Sequence, residues 1–270
     1  MNTQERMFVV VDPSDEKHVA LERAIITAGL RSPKAKLYVF VGVDNEAVDM
    51  RATNDDLFRD QYWFEDQIRK PVTDAGLEVE IEISWSNEWR QAIIQSAKRF
   101  GADMILLPVH RKTNRRRFTF SEAKWDLLKN SACPVLLVRP GAKDKRKVVL
   151  AAVNFQATRE AQKELNHKIL EQGKTTADKY GADFHVVNAY LDSMLYPDRG
   201  KLANETGLPA GKIHVKPGYT DEVVSAVADE IDADVVVMGT LGQTGKYKTR
   251  RGNTAARVIA ALDVDVLVFN

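Results

Sequence analysis

A single cysteine, Cys133, in 270 residues excludes an intramolecular disulfide and any cysteine-rich metal centre. Long apolar runs are missing as well: nothing approaches the roughly 18 residues of a membrane-spanning helix, so no membrane span is expected. The opening Met1-Asn2-Thr3-Gln4-Glu5-Arg6 runs straight into a strand pattern with no signal-peptide core, which leads us to expect a cytoplasmic protein. An excess of charge is lacking too. With 39 Lys and Arg against 38 Asp and Glu, the net charge of +1 gives no global attraction to nucleic acid or anionic lipid. The five histidines, His18, His110, His167, His185 and His214, are scattered without an HExxH pair or a carboxylate at ligand spacing, so the sequence implies no metal.

Nucleophiles are equally scarce. Ser14 lacks a GxSxG elbow, and Cys133 precedes Pro134 and the apolar run Val135-Leu136-Leu137-Val138, which reads as packing. His185 and His214 fall in predicted strands and read as packed or hydrogen-bonded residues. No catalytic set emerges, and the expectation is a binding protein rather than an enzyme. A weak nucleotide-hydrolysing activity stays open as the alternative.

What is present is a repeat. Gly101-Ala102-Asp103-Met104-Ile105-Leu106-Leu107 matches Asp232-Ala233-Asp234-Val235-Val236-Val237-Met238, and the same offset carries Val135–Val138 onto Val266–Phe269 without a gap. Phe8–Asp12 likewise matches Leu150–Asn154. A tandem duplication follows, with domains at residues 1–140 and 146–270. Between them, Arg139-Pro140-Gly141-Ala142-Lys143-Asp144-Lys145-Arg146-Lys147 has the Pro-Gly pair and charge of a surface linker.

Within each copy apolar runs alternate with helical patterns. Strands are predicted near 7–12, 36–43, 78–84, 103–109 and 134–138, and again near 148–154, 183–190, 212–216, 234–239 and 265–269. Helices in the first copy are predicted near 15–29, 56–75, 87–100 and 121–130. Strands joined through helices need crossovers, which predicts an α/β fold with two five-stranded parallel sheets, each covered by helices on both faces. Ligands on such sheets gather beyond the carboxyl ends of the strands.

One loop at such an end stands out. The run Asp234–Met238 leads into Gly239-Thr240-Leu241-Gly242, then nine residues, then Gly252-Asn253-Thr254 before a helical pattern. Glycines let backbone N–H groups approach an anion, and a helix start offers further donors and a favourable dipole. A Walker A loop is excluded, because Thr240 stands where a glycine is needed and Lys246 is followed by Tyr247. The spacer carries Lys246, Lys248, Arg250 and Arg251, cations able to neutralise a polyphosphate.

This glycine spacing resembles the ATP-binding signature of the universal stress proteins, and the Gly-Asn-Thr-Ala ending with a degenerate first copy is most similar to the tandem E-type members. The resemblance implies Rossmann-like (adenine nucleotide alpha hydrolase-like) domains, ATP or another nucleotide-like, phosphate-bearing ligand, and a role in the stress response. It also implies that the final strands pair the copies as an intramolecular pseudo-dimer. By the same resemblance Asn154, Met238, Gly239, Thr240, Gly242, Gly252, Asn253 and Thr254 form the nucleotide site. Two departures stand out: Asn154 replaces an acidic residue of the family, and Asn253 intervenes between Gly252 and the hydroxyl residue Thr254.

The first copy has Pro108, Arg111 and Ser121 in place of Gly239, Gly242 and Gly252, which predicts loss of a conventional nucleotide site there. Arg111, Lys112, Arg115, Arg116 and Arg117 form either a remodelled anion site or a solvated basic loop. Tyr247, Phe118 and Phe120 beside the basic loops leave RNA or DNA contact as a further alternative, disfavoured by the absence of a recognised nucleic-acid motif. The Tyr62-Trp63-Phe64 run reads as core rather than as a cavity lining.

Overall fold

The computed structural model describes residues 4–13, 15–43, 61–86, 88–109, 122–141, 143–241 and 253–270. They form two compact units. The first takes the described residues of 1–109 and 130–140; the second takes those of 141–270 together with 122–129.

In the first unit β1 (Arg6–Val11), β2 (Lys36–Val43), β3 (Val79–Trp85), β4 (Met104–Pro108) and β5 (Val135–Val138) are ordered β3-β2-β1-β4-β5. In the second, β6 (Val148–Ala152), β7 (Asp183–Tyr190), β8 (Ile213–Pro217), β9 (Val235–Gly239) and β10 (Asp265–Phe269) follow the same plan as β10-β9-β6-β7-β8. Each pairing within the units is parallel. The repeat holds at single-residue register, with Ile105 opposite Val135 and Val236 opposite Val266. β5 and β10 are buried end to end, and the interiors of β1, β4, β6 and β9 are buried too, as sheets covered on both faces require.

Among the described residues the longer helices are α1 (Val19–Gly29), α2 (Gln61–Phe64, Glu65–Arg69 and Lys70–Asp74 run together), α3 (Trp89–Phe100), α4 (Glu122–Asn130), α5 (Glu160–Tyr180), α6 (Arg199–Thr206), α7 (Thr220–Glu230) and α8 (Thr254–Ala261). α1 begins four residues later than predicted, after a turn in which the Asp15 N–H donates to the Asp12 carbonyl at 3.2 Å. The middle of α2 is a π-helical turn, Glu65–Arg69. It lies just before Pro71, whose ring crowds the preceding turn and which has no N–H to give. Tyr62 and Phe64 line an open groove beside Ile81 and Ile83, and Tyr62 is exposed, so this aromatic run is not core; Ile68 and Val72 are.

One motif recurs in both units. The helix before the fourth strand ends on a residue in the left-handed region: Gly101 at φ 68° in the first copy and Asp232 at φ 51° in the second. The following amides close the turn alike, Ala102 N–H to the Ala97 carbonyl and Ala233 N–H to the Ala228 carbonyl. Next comes an aspartate that ties the fourth strand to the first. Asp103 accepts from the Arg6 N–H at 2.8 Å; Asp234 accepts from Lys147 at 2.6 Å and Val148 at 3.0 Å. Asp234 is buried and receives Lys143 at 3.3 Å, whereas Asp103 is exposed.

Most described residues of the inter-copy segment are exposed, as a surface linker should be, but Arg139 and Arg146 are not. Arg146 is buried, bonded to buried Asp265 at 2.7 Å, with its guanidinium 5.1 Å from the centre of the Tyr180 ring. Among the described residues no helix is long and apolar enough to cross a membrane.

Because Asp234 satisfies two strand-start amides out of water and Asp103 satisfies one in contact with it, replacing each by alanine should cost unequally. Urea unfolding should show Asp234→Ala losing about 2–3 kcal/mol and Asp103→Ala about 1 kcal/mol or less. Equal losses would mean that the tie does not carry the second unit's strand start.

Candidate functional site

β6 and β9 are neighbours, Ala151 opposite Val237. From its carboxyl end β6 leads through α5 to β7 on one side, while β9 leads to α8 and β10 on the other. Their carboxyl ends thus flank the point where the strand order reverses, which is where crevices open in such sheets. α5 covers one face, and α7 and α8 pack on each other against the opposite one, as right-handed crossovers in opposite directions require.

On the β6 side the loop is held by three amide side chains that sequence reasoning missed. Buried Asn166 on α5 grips the backbone of Asn154 twice: its Oδ1 accepts the Asn154 N–H at 3.1 Å and its Nδ2 donates to the Asn154 carbonyl at 2.7 Å. Fully buried Asn188 on β7 accepts the Phe155 N–H at 2.6 Å and donates to the Gln156 side-chain oxygen at 2.8 Å. Gln156 in turn donates to the Ala189 carbonyl. With its backbone committed, Asn154 presents its exposed carboxamide to the outside. An asparagine inside the apolar run Phe184–Tyr190 was the one available signal, since a buried amide demands partners.

On the β9 side the predicted residues divide. Met238 and Thr240 are buried, and the Thr240 N–H is spent on the Phe269 carbonyl at 2.8 Å. The matched amide of the first copy, Val109, bonds the Val138 carbonyl at the same 2.8 Å, so the backbone is common to both copies. Gly239 has a packing reason to be glycine. A Cβ there would lie 2.6 Å from Leu165 Cδ1 and 2.7 Å from its Cγ, so the missing side chain lets α5 approach the strand end. Pro108 occupies this position in the first copy.

Asn253 lies at the N-cap of α8, its Oδ1 accepting from Ala255 at 3.1 Å and Ala256 at 3.4 Å. Thr254 opens the helix. Arg257, a turn further on, meets Asp221 of α7 at 3.3 Å. Gly242, Gly252, Lys246, Lys248, Arg250 and Arg251 lie outside the described residues, as do Arg111, Lys112 and Arg115 of the first copy and His110.

Other groups read as structural. Burial raises the Cys133 thiol pKa, and Ser131 sits 3.8 Å from its sulfur, an unreactive setting. His185 and His214 bond each other, as the strand reading suggested. Among the described residues no three His, Cys, Asp or Glu side chains gather to hold a metal ion.

The repeated strand order and its reversal between β6 and β9 define a duplicated, doubly wound α/β protein. The chain belongs to the universal stress protein family, whose model matches residues 4–139 and 149–270. It is a tandem member similar to Universal stress protein E of Escherichia coli K12, 27% identical over 300 residues that cover 100% of this chain and 95% of that protein. The Haemophilus influenzae homologue is 26% identical, covering 97% of this chain and 96% of its own. Among solved structures, a universal stress protein from Pseudomonas aeruginosa UCBPP-PA14 superposes with TM-score 0.82 at 23% identity, covering 98% and 93% of the two chains. One from Archaeoglobus fulgidus gives 0.71 at 17% identity, covering 98% and 96%.

If Gly239 serves helix approach, Gly239→Ala should destabilise the protein by about 1–3 kcal/mol through overpacking. Adding Leu165→Ala should recover part of that, so that the double variant loses less than the two single losses together in urea unfolding. A neutral Gly239→Ala would contradict the packing role.

Proposed function

We propose that this chain acts in the cytoplasm as a stress-response binding protein whose second domain holds a small, phosphate-bearing, nucleotide-like ligand at the carboxyl ends of β6 and β9. The observation that carries the reading is the reversal of strand order at the adjacent ends of β6 and β9, where the sequence after β9 has the glycine spacing. Asn154 stands just beyond the end of β6.

The groups present suit such a ligand. The exposed Asn154 carboxamide can both donate and accept, and its clamped backbone fixes the position of its Cα, which lowers the ordering cost on binding. It carries no negative charge to repel a phosphate, unlike the acid that usually stands there. The start of α8 brings its dipole and the Thr254 hydroxyl and N–H. The Asn253 cap already occupies the Ala255 and Ala256 donors, so an anion would meet the helix at Thr254 and the glycine segment before it. Lys246, Lys248, Arg250 and Arg251 supply the countercharge. These groups bind and orient, and the reading is of binding.

Calorimetric titration with ATP and ADP tests this on wild type, on Gly252→Glu, and on Ser121→Glu at the matched first-copy position, each checked for fold by circular dichroism. One equivalent should bind wild type and Ser121→Glu alike, and Gly252→Glu should bind at least about tenfold more weakly. Equal affinity for all three would move the ligand elsewhere. No binding to wild type would contradict the nucleotide reading.

A further inference from the structure

His185 on β7 and His214 on β8, the last strand in the order of the second unit, bring His185 Nδ1 and His214 Nε2 to 3.0 Å. The rings are 17° from parallel with centroids 5.3 Å apart. Stacked faces would hold every atom of the two rings further apart than 3.0 Å, so the imidazoles meet edge to edge, nearly in one plane. The two nitrogens face each other along the line between the rings. Two metal bonds of about 2.0–2.1 Å along that line would not fit in a 3.0 Å gap. A proton does.

We propose that this pair is a proton-operated latch fastening the edge strand β8 to β7, closed while the two rings share one proton across the gap and opened by a second. The chemistry counts protons. In the neutral pair one facing nitrogen carries hydrogen and the other accepts with its lone pair. A first added proton makes one ring an imidazolium and leaves the bond intact, since the other ring still offers a lone pair. A second places N–H against N–H and two positive charges side by side.

The surroundings resist that second proton. Lys212 from the turn before β8, Lys216 from β8 and Arg199 from α6 face the pair, against Asp183 from β7 and Glu230 from α7. Both anions are engaged, Asp183 with Lys212 at 2.6 Å and Glu230 with Lys216. Arg199 is fixed on the carbonyls of Ala210 and Ile213 at 3.1 and 2.9 Å. Burial lowers the pKa of both histidines below the ordinary 6.5, Lys212 adding to the effect at His185 and His185 itself at His214. Groups with lowered folded pKa values take up protons more readily once the strand opens. The stabilisation they give is therefore full above about pH 6.5 and is lost as pH falls through the folded values.

Opening would release a strand that ends at Lys216 and Pro217 and whose next amide, Gly218, donates to the Tyr190 carbonyl at 2.8 Å. That strand leads directly into α7. The latch thus gives the second unit a response to mild acid that is independent of any ligand.

The test is an NMR titration of the full chain between about pH 8 and pH 4.5, reading histidine ring shifts alongside amide exchange protection in β8. The two rings should titrate in coupled steps, and protection at residues 214–216 should fall about tenfold at the second step, the equivalent of one lost hydrogen bond. His214→Gln keeps a hydrogen-bonding side chain that does not titrate, and should hold β8 protection constant over the same range. Independent titration of both rings at ordinary values, or wild-type β8 protection that ignores the second step, would overturn the latch; the wild-type record decides even if the variant misfolds.

Discussion

The second unit depends on one carboxylate at the head of its fourth strand, and the first carries the same tie in a weaker, exposed form. A five-stranded parallel sheet must begin its first and fourth strands side by side, although the bonded residues lie 97 apart in the first copy and 86 or 87 apart in the second. Asp103 and Asp234 solve this by accepting the opening amides of Arg6 and of Lys147 and Val148. The same residues give their own N–H groups to the Arg6 and Val148 carbonyls. This fixes the register of β1 against β4 and of β6 against β9, and with it which two loops emerge together at the opposite end. The site is downstream of that bond.

The two copies then diverge on a common backbone. The amide after the fourth strand bonds the end of the fifth in both, Val109 to Val138 and Thr240 to Phe269. What differs is the side-chain content at that edge, Pro108 against Gly239. The second copy uses its glycine to bring α5 close, and α5 carries Asn166, which clamps the loop after β6. Close helix approach and a preorganised loop are thus one design. A side chain at Gly239 would push away the helix that holds Asn154 in place.

Much of the fold was legible because its signals are local and repeated. Apolar runs such as Val135–Val138 and Val266–Phe269 declare buried parallel strands, and the constant offset between copies declares the duplication. Less of the site was legible. Gly239 was readable as a special position, but its reason, the Leu165 side chain, is contributed by a helix some seventy residues earlier. Asn166 and Asn188 carry no motif and acquire meaning only from the loop they face. The charge of Arg146 suggested solvent, whereas Asp265 and Tyr180 bury it. The two histidines on separate strands meet only through the register that pairs Val187 with His214. In each case the missing information is a long-range partner.

The central claim is that the second copy alone was kept as a binding site, its β6 and β9 loop ends facing one small phosphate-bearing ligand. Native mass spectrometry of the freshly purified full chain tests it most directly, because a ligand retained through purification declares its own mass. The account predicts a single added mass per chain, fragmenting to a phosphate-containing species. Two equivalents per chain, or a retained molecule without phosphate, would contradict it.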